Sequence, residues 1–247
     1  MGFKLISSII TAGAVALALS LSGCASMGGQ SAEQTEMAKL QEQAQLAASA
    51  TTVLQKQMLQ PSTRRIPRTL VDQARCIAVF PQVTQAGLIV GGQRGTGLIS
   101  CRQRSGDFTN APPAVYQLSS ASFGLQAGAA RRSVVLLFTT QQSVNAVLDS
   151  LVKMGSQMAV NAGPSGYDRP IDKAAPIVAY GIARKGLFGG LSLGGGKVEF
   201  DTDANTAIYG NDPTPREVLL QTPEVPESMQ AYMDTLQKFA TDSADNS

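Results

Sequence analysis

Hydrophobic and polar positions change period several times along this chain. Residues 5–21 are apolar apart from Ser7, Ser8, Thr11 and Ser20, with Lys4 ahead of them. Over 33–59 the pattern becomes helical. Met37, Leu40, Ala44, Ala47, Thr51, Leu54 and Met58 recur at spacings of three and four with Gln, Glu and Lys between them, which predicts a long helix packed on a domain. Pro61 ends it. Pro67 suits the first turn of a second helix running through Leu70 and Ala74 toward Cys76.

The period then shortens. Residues 77–80 form an apolar run that stops at Pro81, and 86–102 read as two glycine-laced strands around a turn at Gln93-Arg94-Gly95. Phe123, Leu125 and Ala127 alternate with Gly124, Gln126 and Gly128, the pattern of a half-buried strand. A continuous apolar run at 134–138 predicts a core strand. A helix is expected over 143–159, with Val144, Val147, Leu148, Leu151, Gly155 and Met158 on one face. Strand-like sequence returns at 177–183, 187–193 and 197–200. Thr214-Pro215-Arg216-Glu217 is a capping box with proline at the first helical position, and Met229, Met233, Leu236 and Phe239 mark a last amphipathic helix. The order predicts an α+β fold: one domain, with a largely antiparallel, glycine-rich sheet or partly closed barrel packed with helices.

The residues before this domain suggest export. Leu21-Ser22-Gly23-Cys24 closes the apolar run where an ordinary signal peptide has its small-residue cleavage site, so 1–23 read as a cleaved lipoprotein signal. Cys24 becomes the lipidated first residue of the mature chain, and two or more acyl chains anchor firmly. Residues 24–32 then form a tether, 33–60 the amphipathic helix, 61–221 the folded domain, and 222–247 a C-terminal helix and tail. Ala25 after the cysteine favours an outer-membrane address facing the periplasm.

Composition narrows the chemistry. A formal charge of +2 gives no field for nucleic acid, and the absence of histidine excludes Ser-His-Asp and Cys-His nucleophilic sites and histidine-rich zinc sites. No cofactor, metal or catalytic residues are expected. Cys76 and Cys101 read either as a disulfide, favoured by an oxidising compartment, or as two buried small hydrophobes. The cluster Gly87 to Gly97 lacks the spacing of a phosphate loop and reads as a hairpin. Asp201, Asp203 and Asn205 lack the pattern of a calcium loop and read as a capped turn. Arg64, Arg65, Arg68 and Arg75 are the one concentrated basic group, and they could lie on anionic headgroups. Arg102, Arg104, Arg131 and Arg132 read as ordinary surface.

In order along the chain, Ile66-Pro67, Ala74-Arg75-Cys76-Ile77-Ala78-Val79-Phe80-Pro81, Ala86-Gly87-Leu88-Ile89-Val90-Gly91-Gly92 and Gly95-Thr96-Gly97 resemble the SYLF domain, also called the Ysc84 actin-binding domain. The later segments Ser122 to Gly128, Asn161-Ala162-Gly163-Pro164, Lys185 to Gly190 and Tyr209-Gly210 extend the resemblance from about 66 to 220. It implies a non-catalytic lipid-binding module, with the four arginines in the stretch to which membrane binding is attributed. Combined with the lipoprotein signal, it implies a bacterial member of the family. Its expected partners are membrane phospholipid, through the acyl anchor and the folded domain, and envelope proteins. An exported address argues against actin. An adaptor lipoprotein is the alternative, and a lipid or cell-wall hydrolase stands third.

Overall fold

A computed structural model of the chain describes residues 27–87, 90–123, 128–155, 160–162, 175–183, 195–221 and 223–242. Helix α1 (Met27–Met58) leads through a 3-10 turn (Ser62–Arg64) to α2 (Arg68–Gln73). Four long strands follow: β1 (Cys76–Gly87), β2 (Val90–Cys101), β3 (Ala114–Phe123) and β4 (Gly128–Phe138). After α3 (Gln141–Leu148) come the short strands β5 (Leu151–Lys153), β6 (Val160–Ala162), β7 (Ile177–Ala183) and β8 (Lys197–Phe200). Helices α4 (Thr202–Tyr209), α5 (Pro215–Leu220) and α6 (Glu227–Thr241) complete the described chain.

The eight strands form one curled sheet in the order β5-β8-β3-β2-β1-β4-β7-β6. Every pairing is antiparallel except β6 with β7. The fold is therefore α+β, with a largely antiparallel sheet packed against helices. Side chains alternate across it. Ile77, Val79, Leu98, Val115, Val135 and Leu137 join α1, α2 and α6 in one core. Ala78, Phe80, Ile99, Tyr116, Val134 and Leu136 join α3 and α5 in another. Burial on both faces explains why 77–80 and 134–138 are continuously apolar rather than alternating.

Four sequence expectations change. The strand after Cys76 does not stop at Pro81 but runs to Gly87, because the proline sits at a bulge. The register with β2 slips between Val79 and Gln82, and with β4 between Phe80 and Val83. A residue without an N–H is tolerated where the ladder is already interrupted. β1 runs to Gly87 and β2 begins at Val90, so Gln93-Arg94-Gly95 is mid-strand and not a turn. Gly95 and Gly97 answer the bulge instead. A Cβ on Gly97 would stand 2.4 Å from Phe80 Cδ1 and 2.6 Å from Val79 O.

The third change is the helix expected over 143–159, which ends at Leu148. Ser150 takes φ 69°, which no α-helix continues through, and 151–153 pair with β8 instead. The fourth is the single strand expected over 123–128: β3 ends at Phe123 and β4 begins at Gly128, and 124–127 lie outside the described residues. The expected strand at 187–193 and the signal with Cys24 also lie outside them.

Candidate functional site

The four arginines of the basic segment are distributed over two ends of α2. Pro61 and the 3-10 turn reverse the chain after α1, which brings Arg65 back over the last turn of that helix. Its guanidinium donates to Met58 O at 2.5 Å and Gln60 O at 3.3 Å, and stands 3.9 Å from the Asp242 carboxylate. A cation at a helix C-terminus satisfies its open carbonyls and complements the macrodipole. Arg68 pairs with Asp72 at 2.7 Å and donates to Asp242 O at 3.3 Å. Arg75, beyond the other end of α2, donates to Gln141 Oε1 of α3 at 3.1 Å. Arg64 is exposed.

The residue that organises this end of the molecule is Arg102, at the exit of β2. It donates to Ala74 O at 2.6 Å, Val71 O at 3.0 Å, Asp72 O at 3.3 Å and Gly106 O at 2.9 Å. It thereby closes the C-terminus of α2 onto the 103–110 loop. Its guanidinium also lies 4.7 Å from the centroid of the buried Phe108 ring. Partial burial lowers its pKa, opposed by Asp72. The sequence offers an arginine after a strand and nothing to distinguish it from surface. Arg132, by contrast, is buried and hydrogen bonded to Gln85.

Two open clefts meet beside Arg102. One, of about 500 Å³, is lined by Arg75, Cys76, Cys101, Gln141, Leu148 and Leu220 among others. The second, of about 980 Å³, runs between the 103–110 loop and the chain entering α6, past Arg104, Asn110, Glu224, Val225 and Met233. Gln103 and Leu220 border both, so the two form one groove. Leu220 is 40% exposed at the join, one of the few large apolar side chains so placed. Gln103 Nε2 donates to Cys101 O at 3.1 Å and Leu219 O at 3.4 Å, tying the loop to α5.

The 103–110 loop is locked internally. Asp107 accepts from Ser105 Oγ at 2.9 Å and from Thr109 N at 3.0 Å, and the serine hydroxyl and then the Thr109 amide hold its pKa below the usual carboxylate range. Cys76 and Cys101, directly paired on β1 and β2, are joined by a disulfide in the groove wall.

Several polar groups beside the sheet are structural. Asn205 Oδ1 accepts from Val115 N at 2.9 Å, and its Nδ2 donates to Val115 O at 2.9 Å and Asp201 O at 2.7 Å. Asp201 caps α4 by accepting from Ala204 N at 3.1 Å. Asp201, Asp203 and Asn205 thus form a capped helix start. Burial pushes the phenols of Tyr116 and Tyr209 up, and their hydroxyls donate to Val147 O and Pro113 O. Among the described residues no group of three His, Cys, Asp or Glu could hold a metal ion, and no helix is long and apolar enough to cross a membrane. The groove offers apolar contact and mixed charge, which is the equipment of binding.

Residues 119–239 match the family model described as "Ysc84: Las17-binding protein actin regulator". "LAS seventeen-binding protein 3" of Saccharomyces cerevisiae is 28% identical over 162 residues, covering 62% of this chain and 34% of that protein. "Protein YSC84" of the same yeast is 26% identical over 183 residues, 71% of this chain and 38% of that protein. "SH3 domain-containing YSC84-like protein 1" of Xenopus laevis is 28% identical over 152 residues, 60% and 44%. The chain spans between about a third and under a half of the length of these relatives. No solved structure matches.

These findings correct the reading as a bacterial, periplasm-facing outer-membrane lipoprotein with a lipid-binding domain. The matched relatives are yeast and frog proteins whose names speak of Las17 binding and SH3 domains, and nothing in them supports a lipoprotein, a periplasmic address, or phospholipid and envelope partners. The exclusion of actin is corrected too, since the matched family is described as an actin regulator. The names are those of binding proteins, in keeping with a non-catalytic role. What the comparisons support is the SYLF/Ysc84 domain family, matched over residues 119–239.

Proposed function

We propose that this chain supplies a non-catalytic protein-docking module to an actin-regulatory assembly, with actin itself the partner to test. The observation that carries the reading is the groove in which Leu220, exposed between two clefts, is flanked by Arg75, Arg104 and Glu224. An apolar anchor within a polar rim is the usual anatomy of a protein interface. The printed description of the matched family supplies the identity of the partner.

Co-sedimentation of the full chain with actin filaments tests it. The chain should pellet with filaments, and Leu220→Glu should weaken that association by at least about tenfold, the scale of losing one anchor. Because Leu220 is substantially exposed, the variant should keep the wild-type melting temperature. A chain that stays in the supernatant, or a Leu220→Glu variant that pellets like wild type, would refute the proposal.

A further inference from the structure

The sheet is covered unevenly, and its uncovered part carries a pattern that the groove does not explain. On the face where α1 and α6 pack, the ends of the strands nearest Cys76 are buried, but among the described residues the opposite ends carry exposed side chains. The register sets one cross-strand row on this stretch: Lys153 of β5, Lys197 of β8, Ser119 of β3, Arg94 of β2, Thr84 of β1 and Arg131 of β4. Their neighbours Val152, Val198, Leu118 and Val83 point into the core on the other side, so all six point out together. The four cations are exposed, and the two hydroxyl residues between them are half-buried. Five strand spacings make the row about 24 Å long.

We propose that this row is a docking surface for an extended acidic segment of a protein partner. Charge complementarity carries the assignment. Lys153 and Lys197 stand directly opposite each other, a like-charge pairing that costs stability and that a bound carboxylate would relieve. Within the chain Lys197 is answered by Glu199 at 2.6 Å, an exposed pair that solvent screens. Arg94 and Arg131 flank Thr84 from the strands on either side of β1, two strand spacings from each other, so successive acidic side chains of one extended segment could meet them in turn.

The shape selects a slender partner over a flat one. Helix α1 descends the same face, with Glu42, Leu46 and Ser49 bordering a cleft of about 270 Å³ against Pro81, Gln82 and Thr96, one ladder step from the row. The helix continues past that point with 34–42 exposed, so it stands as a ridge that a bilayer would meet first. The partner class rests on the reading of the chain as a protein-binding module, while the position of the surface does not.

The test uses the full chain and a fluorescent oligoglutamate of about eight residues, long enough to span the row. Wild type should bind it, more weakly as NaCl rises from about 50 to 300 mM. Arg94→Glu with Arg131→Glu should reduce affinity by at least about tenfold, and Arg94→Gln with Arg131→Gln by less. Arg216→Glu on α5, against the other face, should leave it unchanged. Equal affinity in wild type and both double variants would overturn the proposal. So would capture on phosphatidylserine vesicles that depends on Arg94 and Arg131 when oligoglutamate is not held. Actin co-sedimentation separates this from the functional proposal: pelleting that survives both double variants removes the row and leaves the actin reading standing. Oligoglutamate binding without pelleting does the reverse.

Discussion

Gly97→Ala adds one methyl group at the tightest point of the sheet, and its effect follows from the bulge at Phe80-Pro81. The new Cβ would lie 2.4 Å from Phe80 Cδ1, 2.7 Å from Phe80 Cγ and 2.6 Å from Val79 O. Ordinary carbon contacts sit at about 3.5–4.0 Å, so the shortfall exceeds about 1 Å. Phe80 is fully buried, and Val79 O belongs to the backbone of a strand paired on both sides, so neither can retreat without moving the central ladder. Overpacking of this kind costs about 2–3 kcal/mol, or a fall of about 4–12 °C in Tm for a domain of this size. Gly92→Ala on the same strand is the control. Its nearest neighbour would be Ser120 O at 3.7 Å, an ordinary contact, so its change should stay within about 0.5 kcal/mol. Urea and thermal denaturation of both variants decide the matter. If Gly97→Ala proves as stable as Gly92→Ala, the close packing of Phe80 over β2 is refuted.

Other predictions concern the polar fastenings. Asn205→Ala strands the buried Val115 N–H and should cost about 1–3 kcal/mol in chemical denaturation; Asn205→Asp, which can accept but not donate, should recover part of the loss. Arg102→Lys keeps the charge but cannot reach four carbonyls at once, so it should destabilise by about 1–3 kcal/mol and raise amide exchange in α2 and the 103–110 loop. Intact mass under non-reducing conditions should show no alkylatable thiol at Cys76 or Cys101. Breaking their bridge, which closes a separation of 25 residues, should cost about 2–3.5 kcal/mol. The carboxyl of Glu217, held below its ordinary pKa by the Thr214 amide and hydroxyl, stabilises the start of α5 above the unfolded value. That contribution is lost as pH falls through the lowered folded value, so Glu217→Gln should flatten the acid limb of the stability profile.

The elements that the sequence made legible are those with a local cause. Thr214-Pro215-Arg216-Glu217 carries its own capping chemistry, and the residues do form a capping box with proline in the first turn. The apolar run at 134–138 needed no partner to be read as a core strand. Errors arose where a distant element decided the outcome. Leu151, Gly155 and Met158 keep the helical period of 143–148, but pairing with β8, far along the chain, draws 151–153 into the sheet. Pro81 marks a strand end unless a neighbouring strand carries glycines placed to receive a bulge. The groove was illegible for the same reason: Gln103 and Leu220 are distant in sequence and meet only because α5 folds against the loop after β2. Arginine clustering along 64–75 proved a poor guide to spatial clustering, since Arg65 and Arg68 turn toward Asp242 while Arg75 faces α3. The row from Lys153 to Arg131 draws on six strands and has no signature within any of them.

The strand order bears on how the molecule can be cut and how it comes together. The segment that matches the family begins at 119, yet the middle of the sheet is the pair β1 and β2, which precedes it. A fragment trimmed to 119–239 would discard β1, β2 and the first half of β3, leaving β4 with an open inner edge. At the other extreme, α1, the first described helix, is fastened through Arg65 to Asp242 at the end of α6. A chain emerging residue by residue therefore makes α1 long before the helix that completes its packing exists. Closure of this domain must wait for α6, when the ordering of a long intervening chain must be met all at once.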